Sequence, residues 1–343
     1  MKRLTARILV FTTLLSILAA CGSASPSAGT ATLTLGAYST PSGAYAKIIP
    51  LFQSYWQQTD QQAVTFKQSY LGSGAQSRAI INGFQADVAA LSIAPDIDTI
   101  VKAGLITHDW TKTPTNGFIY TSVVAFAVRH GNPKGIHDWA DLARSGIQIL
   151  TPDPKSSGGA QWNVLALYGA ALRGQVQGVA KDDKAGALHF LEAVLKNVVT
   201  FDKDGRTSIT NFENGTGDVA ITYESEVLLG QKAGKSDDLI MPTSTIQIQN
   251  PVTVVDSYAK KHGTEKAAQA FVDFLLTPAA QQVFADEGQR ALDPTIAQAT
   301  AKDHPAVTDL WKVDYLGGWT TVKSSIFGAN GIYTQALNAV QGS

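Results

Sequence analysis

The chain has 343 residues, too many for one ordinary hydrophobic core, so two lobes are expected. A content of 44% hydrophobic and 16% charged residues describes a globular body that faces water. The formal charge of −1 gives nucleic acid or an acidic polymer nothing to bind, and no nucleic-acid partner is expected.

The first thirty residues stand apart from the fold. Lys2, Arg3 and Arg7 precede an apolar run, Ile8 to Leu18, that is too short for a stable membrane span. The run ends in Leu18, Ala19, Ala20 and Cys21, which resembles the lipobox of bacterial lipoprotein signal peptides. The resemblance implies a signal peptide over 1–20, cleavage before Cys21 and lipidation of that residue. An ordinary secretory signal with a chance cysteine is the plainer alternative. Cys21 is the only cysteine, so it cannot form an intrachain disulfide. Removing residues 1–20 leaves 24 basic against 28 acidic residues, a charge of −4. Residues 21–30, rich in Gly, Ser and Ala, read as a flexible tether. The expected location is outside the cytoplasmic membrane, anchored to it.

From Ala31 onward strand-like runs alternate with helical faces. Leu33–Tyr38 predicts a strand, and Tyr45–Trp56 an amphipathic helix with Pro50, a residue that strains helix continuity, inside it. Val64–Phe66 is strand-like, a loop over Tyr70–Gln76 follows, and a helix is expected over about Ala75–Gly83. Asp87–Ser92 reads as a buried strand, and the β-rich run Tyr120–Arg129 as a crossing between lobes. Ile147–Leu150 leads through two prolines and Ser156, Ser157, Gly158 and Gly159 into a helix with Val164, Tyr168, Ala171 and Leu172 on its apolar face. Ala185–Leu195 predicts another helix. The loop Asp202–Ser208 precedes a short helix near Thr210–Phe212, and Asp218–Tyr223 is a strand. Pro251–Val255 reads as the second crossing, and Thr264 starts a helix with Ala267, Phe271, Phe274 and Leu275 on one face. Thr277 before Pro278 predicts an N-cap and a helix through Ala285, and a last helix lies near Tyr333. Such alternation predicts α/β lobes with mostly parallel sheets, whose ligands sit at strand ends beside helix N-termini.

Three segments share one design, in which a strand runs into Gly and Ser and then into a helix N-terminus. They are Gly72–Gly74, Ser157–Gly159 and Gly205–Ser208. Free N–H groups and the helix dipole make each an anion site. The second loop lacks the Lys that a nucleotide P-loop needs. Neutral donors also suit an anion that carries no proton, since no acceptor rewards a protonated competitor.

At these residues the chain resembles the bacterial sulfate-binding proteins of ABC importers, in the type II periplasmic binding protein fold. The matching blocks are Tyr120–Ser122, Gly131–Lys134, Asp138–Trp139 and Thr151–Asn163. Gly72–Gly74, Ile81–Gly83, Ala86–Val88, Asp96–Asp98, Gly217–Val219, Val254–Asp256 and Gly317–Trp319 extend the match along the chain. The resemblance implies two lobes, each a mostly parallel sheet flanked by helices, with the ligand in the cleft between them. Lobe I is expected over 31–119 and lobe II over 120–250, with 251–343 returning to lobe I and ending in C-terminal helices. The implied ligand residues are Ser73, Ser157, Gly158, Gly159 and Gly205, with Tyr223 and Thr40 at two departures from the family pattern. Tyr223 stands where the family has an indole donor, and Thr40 where it has an aspartate before proline. The choice among sulfate, thiosulfate, molybdate, tungstate and phosphate stays open, with phosphate least favoured because its monohydrogen form needs an acceptor. The implied partner is the permease of an ABC transporter. A monomer without cofactor, metal or catalysis is expected.

The other candidates have plainer readings. His108, His130, His137, His189, His262 and His304 show no metal-ligand spacing and read as surface or capping residues. Asp182, Asp183, Asp237 and Asp238 read as solvated loop charges. Trp162 reads as helix packing, and Trp139 and Trp319 as core. Arg206 is read either as a salt bridge orienting its loop or as a second layer behind the ligand. A serine hydrolase using Ser157 is the reading from another class, although no Gly-x-Ser-x-Gly elbow is present.

Overall fold

The computed structural model describes residues 29–342. The signal segment, Cys21 and nearly all of the tether lie outside the described residues. The chain opens with β1 (Ala31–Tyr38), α1 (Ser42–Asp60), β2 (Val64–Leu71), α2 (Ser73–Ile81), β3 (Val88–Ala90) and α3 (Ala94–Lys102). Next come β4 (Phe118–Val128), β5 (Ile149–Pro152), α4 (Gly158–Leu172), α5 (Lys184–Lys196), β6 (Val198–Asp202) and α6 (Gly205–Glu213). They are followed by β7 (Val219–Tyr223), α7 (Glu224–Lys232), β8 (Asp238–Ile240) and β9 (Ser244–Val254). After α8 (Asp256–His262), α9 (Glu265–Phe274) and α10 (Pro278–Asp286), the tail holds β10 (Arg290–Ala291), α11 (Pro294–Thr300) and β11 (Asp309–Trp311). It ends in α12 (Gly318–Ser325) and α13 (Ile332–Gln341). Among the described residues no helix is long and apolar enough to cross a membrane.

The strands run in the order β2-β1-β3-β9-β4-β7-β5-β6. Pairing is parallel at both ends, β1 with β2 and β3, and β5 with β6 and β7. It is antiparallel in the middle, where the long strands β4 and β9 pair. These two strands each serve two cores. Ile119 and Tyr120 of β4 and Val252 and Val254 of β9 pack with Leu33, Ile48, Phe52 and Phe271. Val124 and Phe126, with Ile246 and Ile248, pack instead with Trp139, Trp162, Leu165 and Leu191. The tail packs on the second core through Trp311, Val322 and Tyr333.

The expected first helix is present: α1 runs on through Pro50, whose ring lies on the exposed side. Two local expectations are revised. α4 has no single apolar face: it is buried on nearly every side, because α5, β9 and the tail enclose it. Gly169 permits that enclosure, since a Cβ there would lie 2.1 Å from the Trp311 ring. Thr277 does precede Pro278, but its hydroxyl donates backward to Phe274 O at 2.7 Å instead of capping α10.

Candidate anion site

Four helices begin at one cavity. Gly72, the residue before α2, Ser157 before α4, Gly205 opening α6 and Tyr223 before α7 all line it. The N–H groups of a first helical turn have no partner within the helix, so these starts aim unsatisfied donors at the same space. Their dipoles add partial positive charge there. The cavity is small and is also lined by Tyr38, Ser39, Thr40, Ser73, Pro152, Gly159, Asn163 and Thr222. No lysine or arginine lines it.

Ser157 shows how local sequence builds the α4 start. Its amide donates to Asp153 O at 2.9 Å, closing the turn after the prolines. Its hydroxyl caps the helix by accepting from Ala160 N at 3.3 Å, which leaves that O–H hydrogen for a ligand. Gly159 lines the cavity, but Gly158 faces the opposite half of the molecule. A Cβ on Gly158 would lie 3.0 Å from Ser92 Cβ and Oγ and 3.1 Å from Ser73 Cβ. The Ser73 hydroxyl is already engaged. It donates to Asp96 Oδ2 at 2.5 Å and accepts from Ser92 N at 2.9 Å, so its backbone N–H is what it offers the cavity. Thr40 is buried within reach of α6: a Cβ on Gly205 would lie 3.3 Å from Thr40 Oγ1.

The two halves touch across the cavity. Ala75 N donates to Ser156 O at 3.1 Å and Arg78 Nη1 to Lys155 O at 3.2 Å. Arg206 Nη2 donates to Thr40 O at 3.1 Å, and Trp162 Nε1 to Ser92 O at 2.9 Å. Tyr223 Oη shares a hydrogen bond with Ser92 Oγ at 2.7 Å. Gly72 is required at this seam, because a Cβ there would lie 2.5 Å from Ser156 O and 2.8 Å from Lys203 O. The cleft is closed.

The charges near the cavity are matched behind it. Arg206 turns away to Glu226, with Nη1 to Oε2 at 2.8 Å, so the salt-bridge reading of Arg206 holds. Burial pushes the Glu226 carboxyl up, and the Arg206 charge opposes that. Burial pushes Asp96 up to about 6, against the hydrogen bond from Ser73. Burial also raises the Tyr223 phenol, which therefore stays a protonated donor. Glu224 is fully buried. Burial opposes its charge, but His304 at 3.1 Å and Arg290 at 2.8 Å outweigh it and hold the carboxyl below its usual range.

His304 therefore corrects the surface reading of the histidines: its side chain is buried, because Glu224 has no water to compensate its charge. Asp182 and Asp183 are exposed, as solvated loop charges should be, and Asp183 also caps α5 by accepting from Gly186 N at 2.9 Å. Asp237 differs: its side chain is largely buried and lies 3.7 Å from Arg129 Nη1, while Asp238 accepts from Gly131 N at 2.7 Å. Trp162 packs edge-on against Trp319, ring centres 4.8 Å apart, as a packing residue should. Among the described residues no histidine hydrogen-bonds Ser157, and no group of three or more His, Cys, Asp or Glu is arranged to hold a metal ion.

Sequence reasoning missed Asn163, Ser92 and the α7 start. Asn163 lies four residues after Gly159, so helical spacing already put it on the same face. Its Nδ2 donates to Thr151 Oγ1 at 3.1 Å and Ile221 O at 2.8 Å. For Ser92 and Tyr223 no local pattern existed, since 131 residues separate the two partners.

A cation-free cavity closed between two halves and ringed by helix N-termini defines a class: a receptor that holds a small anion by hydrogen bonds. The comparisons agree. Residues 33–290 match the family of bacterial extracellular solute-binding proteins, and the chain belongs to it. It is 42% identical to the sulfate-binding protein of Synechococcus elongatus over 95% of this chain and 93% of that one. It is 38% identical to the sulfate-binding protein of Escherichia coli, covering 85% and 88%. The solved structure of the sulfate-binding protein SubI from Mycobacterium tuberculosis superposes with a TM-score of 0.78 at 37% identity, over 85% of this chain and 98% of that one. The fold is the type II periplasmic binding protein architecture, α/β with helices flanking the sheet.

Proposed function

We propose that the chain is a non-enzymatic sulfate receptor that closes two lobes on the ion and presents the closed form to the permease of an ABC transporter. The convergence of four helix N-termini on a cavity without lysine or arginine carries this reading. Burying a dianion without partners would cost tens of kcal/mol by an idealised continuum argument. Charge-assisted hydrogen bonds return roughly 1.5–3 kcal/mol each, and each helix start up to about 2. A handful, offset by desolvation and ordering, is compatible with micromolar affinity, about −8 kcal/mol. Ser157, Gly158, Gly159 and Gly205 supply donors from the second lobe, and Ser73 its amide from the first. Tyr223 and Thr40 complete the ring.

In this reading the lobes are 31–119 with the return after 251, and 120–250, with β4 and β9 as the flexing crossings. The tail packs on the second lobe through Trp311, Val322 and Tyr333, and not on the first lobe as expected. Cys21 carries the lipid anchor, and the receptor acts as a monomer outside the membrane. Replacing Cys21 by Ser is expected to move the protein from the membrane to the soluble fraction; retention in the membrane would remove Cys21 as the anchor.

The deciding experiment is calorimetric titration of the full chain in detergent, stripped of anion, with sulfate, thiosulfate, molybdate and phosphate at constant ionic strength. Micromolar or tighter sulfate binding with phosphate silent is expected. Binding of another of these anions in place of sulfate would keep the receptor and reassign its ligand to the departures at Tyr223 and Thr40.

A further inference from the structure

The hydrogens around Ser92 can be counted. Its amide donates to Ser73 Oγ at 2.9 Å, and its carbonyl accepts from Trp162 Nε1 at 2.9 Å and Asn250 Nδ2 at 3.2 Å. Its backbone groups are therefore filled. The Ser92 hydroxyl has one partner, Tyr223 Oη at 2.7 Å, and both residues are buried. The Asn250 side chain also hydrogen-bonds the Tyr223 oxygen. The two hydroxyls bring two hydrogens, and their mutual bond uses one. Tyr223 lines the anion cavity and Ser92 does not. Of the two arrangements, the one in which Ser92 donates to Tyr223 leaves the phenolic hydrogen facing the cavity. The reverse leaves an oxygen lone pair facing the anion.

We propose that Ser92 is a positioning residue for the anion: its hydroxyl donates to Tyr223, fixing and polarising the phenol so that Tyr223 donates to the bound ion. The deduction rests on the oxyanion reading of the cleft. A hydroxyl that accepts one hydrogen bond is a stronger donor in the next, and the low-dielectric surroundings accentuate that coupling. The position of the pair suits the task, since a Cβ on Gly159 would lie 3.7 Å from Tyr223 Oη and one on Gly158 3.0 Å from Ser92 Oγ. Both hydroxyls thus stand at the start of α4, where the anion meets free amides. Tyr223 takes the place of a single rigid donor with a two-residue relay that spans both halves of the molecule. The relay is complete only when the cleft is closed.

The test is a double-mutant cycle by calorimetric titration of the full chain with sulfate and, separately, phosphate. Tyr223→Phe is expected to weaken sulfate binding roughly ten- to hundredfold, the range of one hydrogen bond to a charged group. Ser92→Ala is expected to weaken it severalfold in the wild-type background and less than about twofold in the Tyr223→Phe background. Equal losses in both backgrounds, or a loss that follows a drop in the anion-free melting temperature, would mark Ser92 as a packing residue and overturn the relay. Phosphate bound as tightly as sulfate, and lost in Ser92→Ala, would mean that the pair accepts a hydrogen, which also overturns it. A wild-type chain that binds no oxyanion overturns the receptor reading itself, an outcome distinct from additive mutants in a chain that binds sulfate.

Discussion

Gly158 separates folding from binding. The atoms that a Cβ would meet first belong to Ser92 and Ser73, across the cleft, at 3.0–3.1 Å. A methyl group there obstructs closure while leaving the first turn of α4 intact, and alanine is a better helix former than glycine. Gly158→Ala is therefore expected to weaken sulfate binding at least about tenfold with an unchanged melting temperature in the absence of anion. Gly158→Asp adds a carboxylate beside the dianion and should abolish binding. Titration and thermal melts of the two variants decide this, and wild-type affinity in Gly158→Asp would sink the model of an anion held by backbone donors. Glycine at this position was legible in the sequence as part of a loop before a helix. What it faces was not, because Ser92 sits in an apolar run with neither Gly nor a turn to mark it.

At the scale of elements, buried carboxylates behind the helix starts tie binding to pH. Asp96, in the first turn of α3, accepts from Ser73 at the start of α2 and is pushed up to about 6 by burial. Its folded-state value lies above the ordinary carboxyl value of 3.8, so this group costs stability above pH 6 and ceases to as pH falls toward 4. Protonation also removes a like charge beside the anion. Sulfate affinity is expected to rise as pH falls from 8 to 5, with proton uptake on binding, and Asp96→Asn should flatten the profile. Titrations in two buffers of different ionisation enthalpy measure the uptake; a pH-independent wild type would exclude Asp96 as its source. Glu226 in α7 behaves in the same sense. Without Arg206 its buried charge loses its cation, which costs roughly 3–5 kcal/mol where both partners are buried and less here, since the Arg206 side chain is 33% exposed. Arg206→Met should therefore be much less stable at pH 8 than at pH 5, and adding Glu226→Gln should restore much of the loss; equal melting temperatures at the two pH values would refute the pairing. The helix starts at α2, α4 and α6 were readable because Gly and Ser announce them. The α7 start was not, since Tyr223 and Glu224 carry no such signal, and the partners that neutralise Glu224 lie 66 and 80 residues further along the chain.

Across the whole molecule, the closed cleft is held at the seam by a handful of hydrogen bonds: Ala75 to Ser156, Arg78 to Lys155, Arg206 to Thr40, Trp162 to Ser92 and the Tyr223–Ser92 pair. Net contributions of about 1 kcal/mol for a neutral bond and up to about 3 for a guanidinium donor, set against the ordering of side chains at the seam, leave closure open to a shift by ligand. The anion supplies that shift, because its donors come from both halves and are satisfied together only on closure. A ligand shifts such an equilibrium by its difference in affinity for the two states, and here the open state lacks half the ring. Gly72 provides the test, since any Cβ there meets backbone carbonyls of Ser156 and Lys203 at 2.5 and 2.8 Å, which no side-chain rotation relieves. Solution X-ray scattering of the wild type should show a smaller radius of gyration once sulfate is added, by mutual approach of the lobes. Gly72→Ala should keep the larger radius at saturating sulfate and bind the ion weakly through the second lobe alone. A Gly72→Ala chain that contracts like the wild type would show that the seam seen here is not what closure requires.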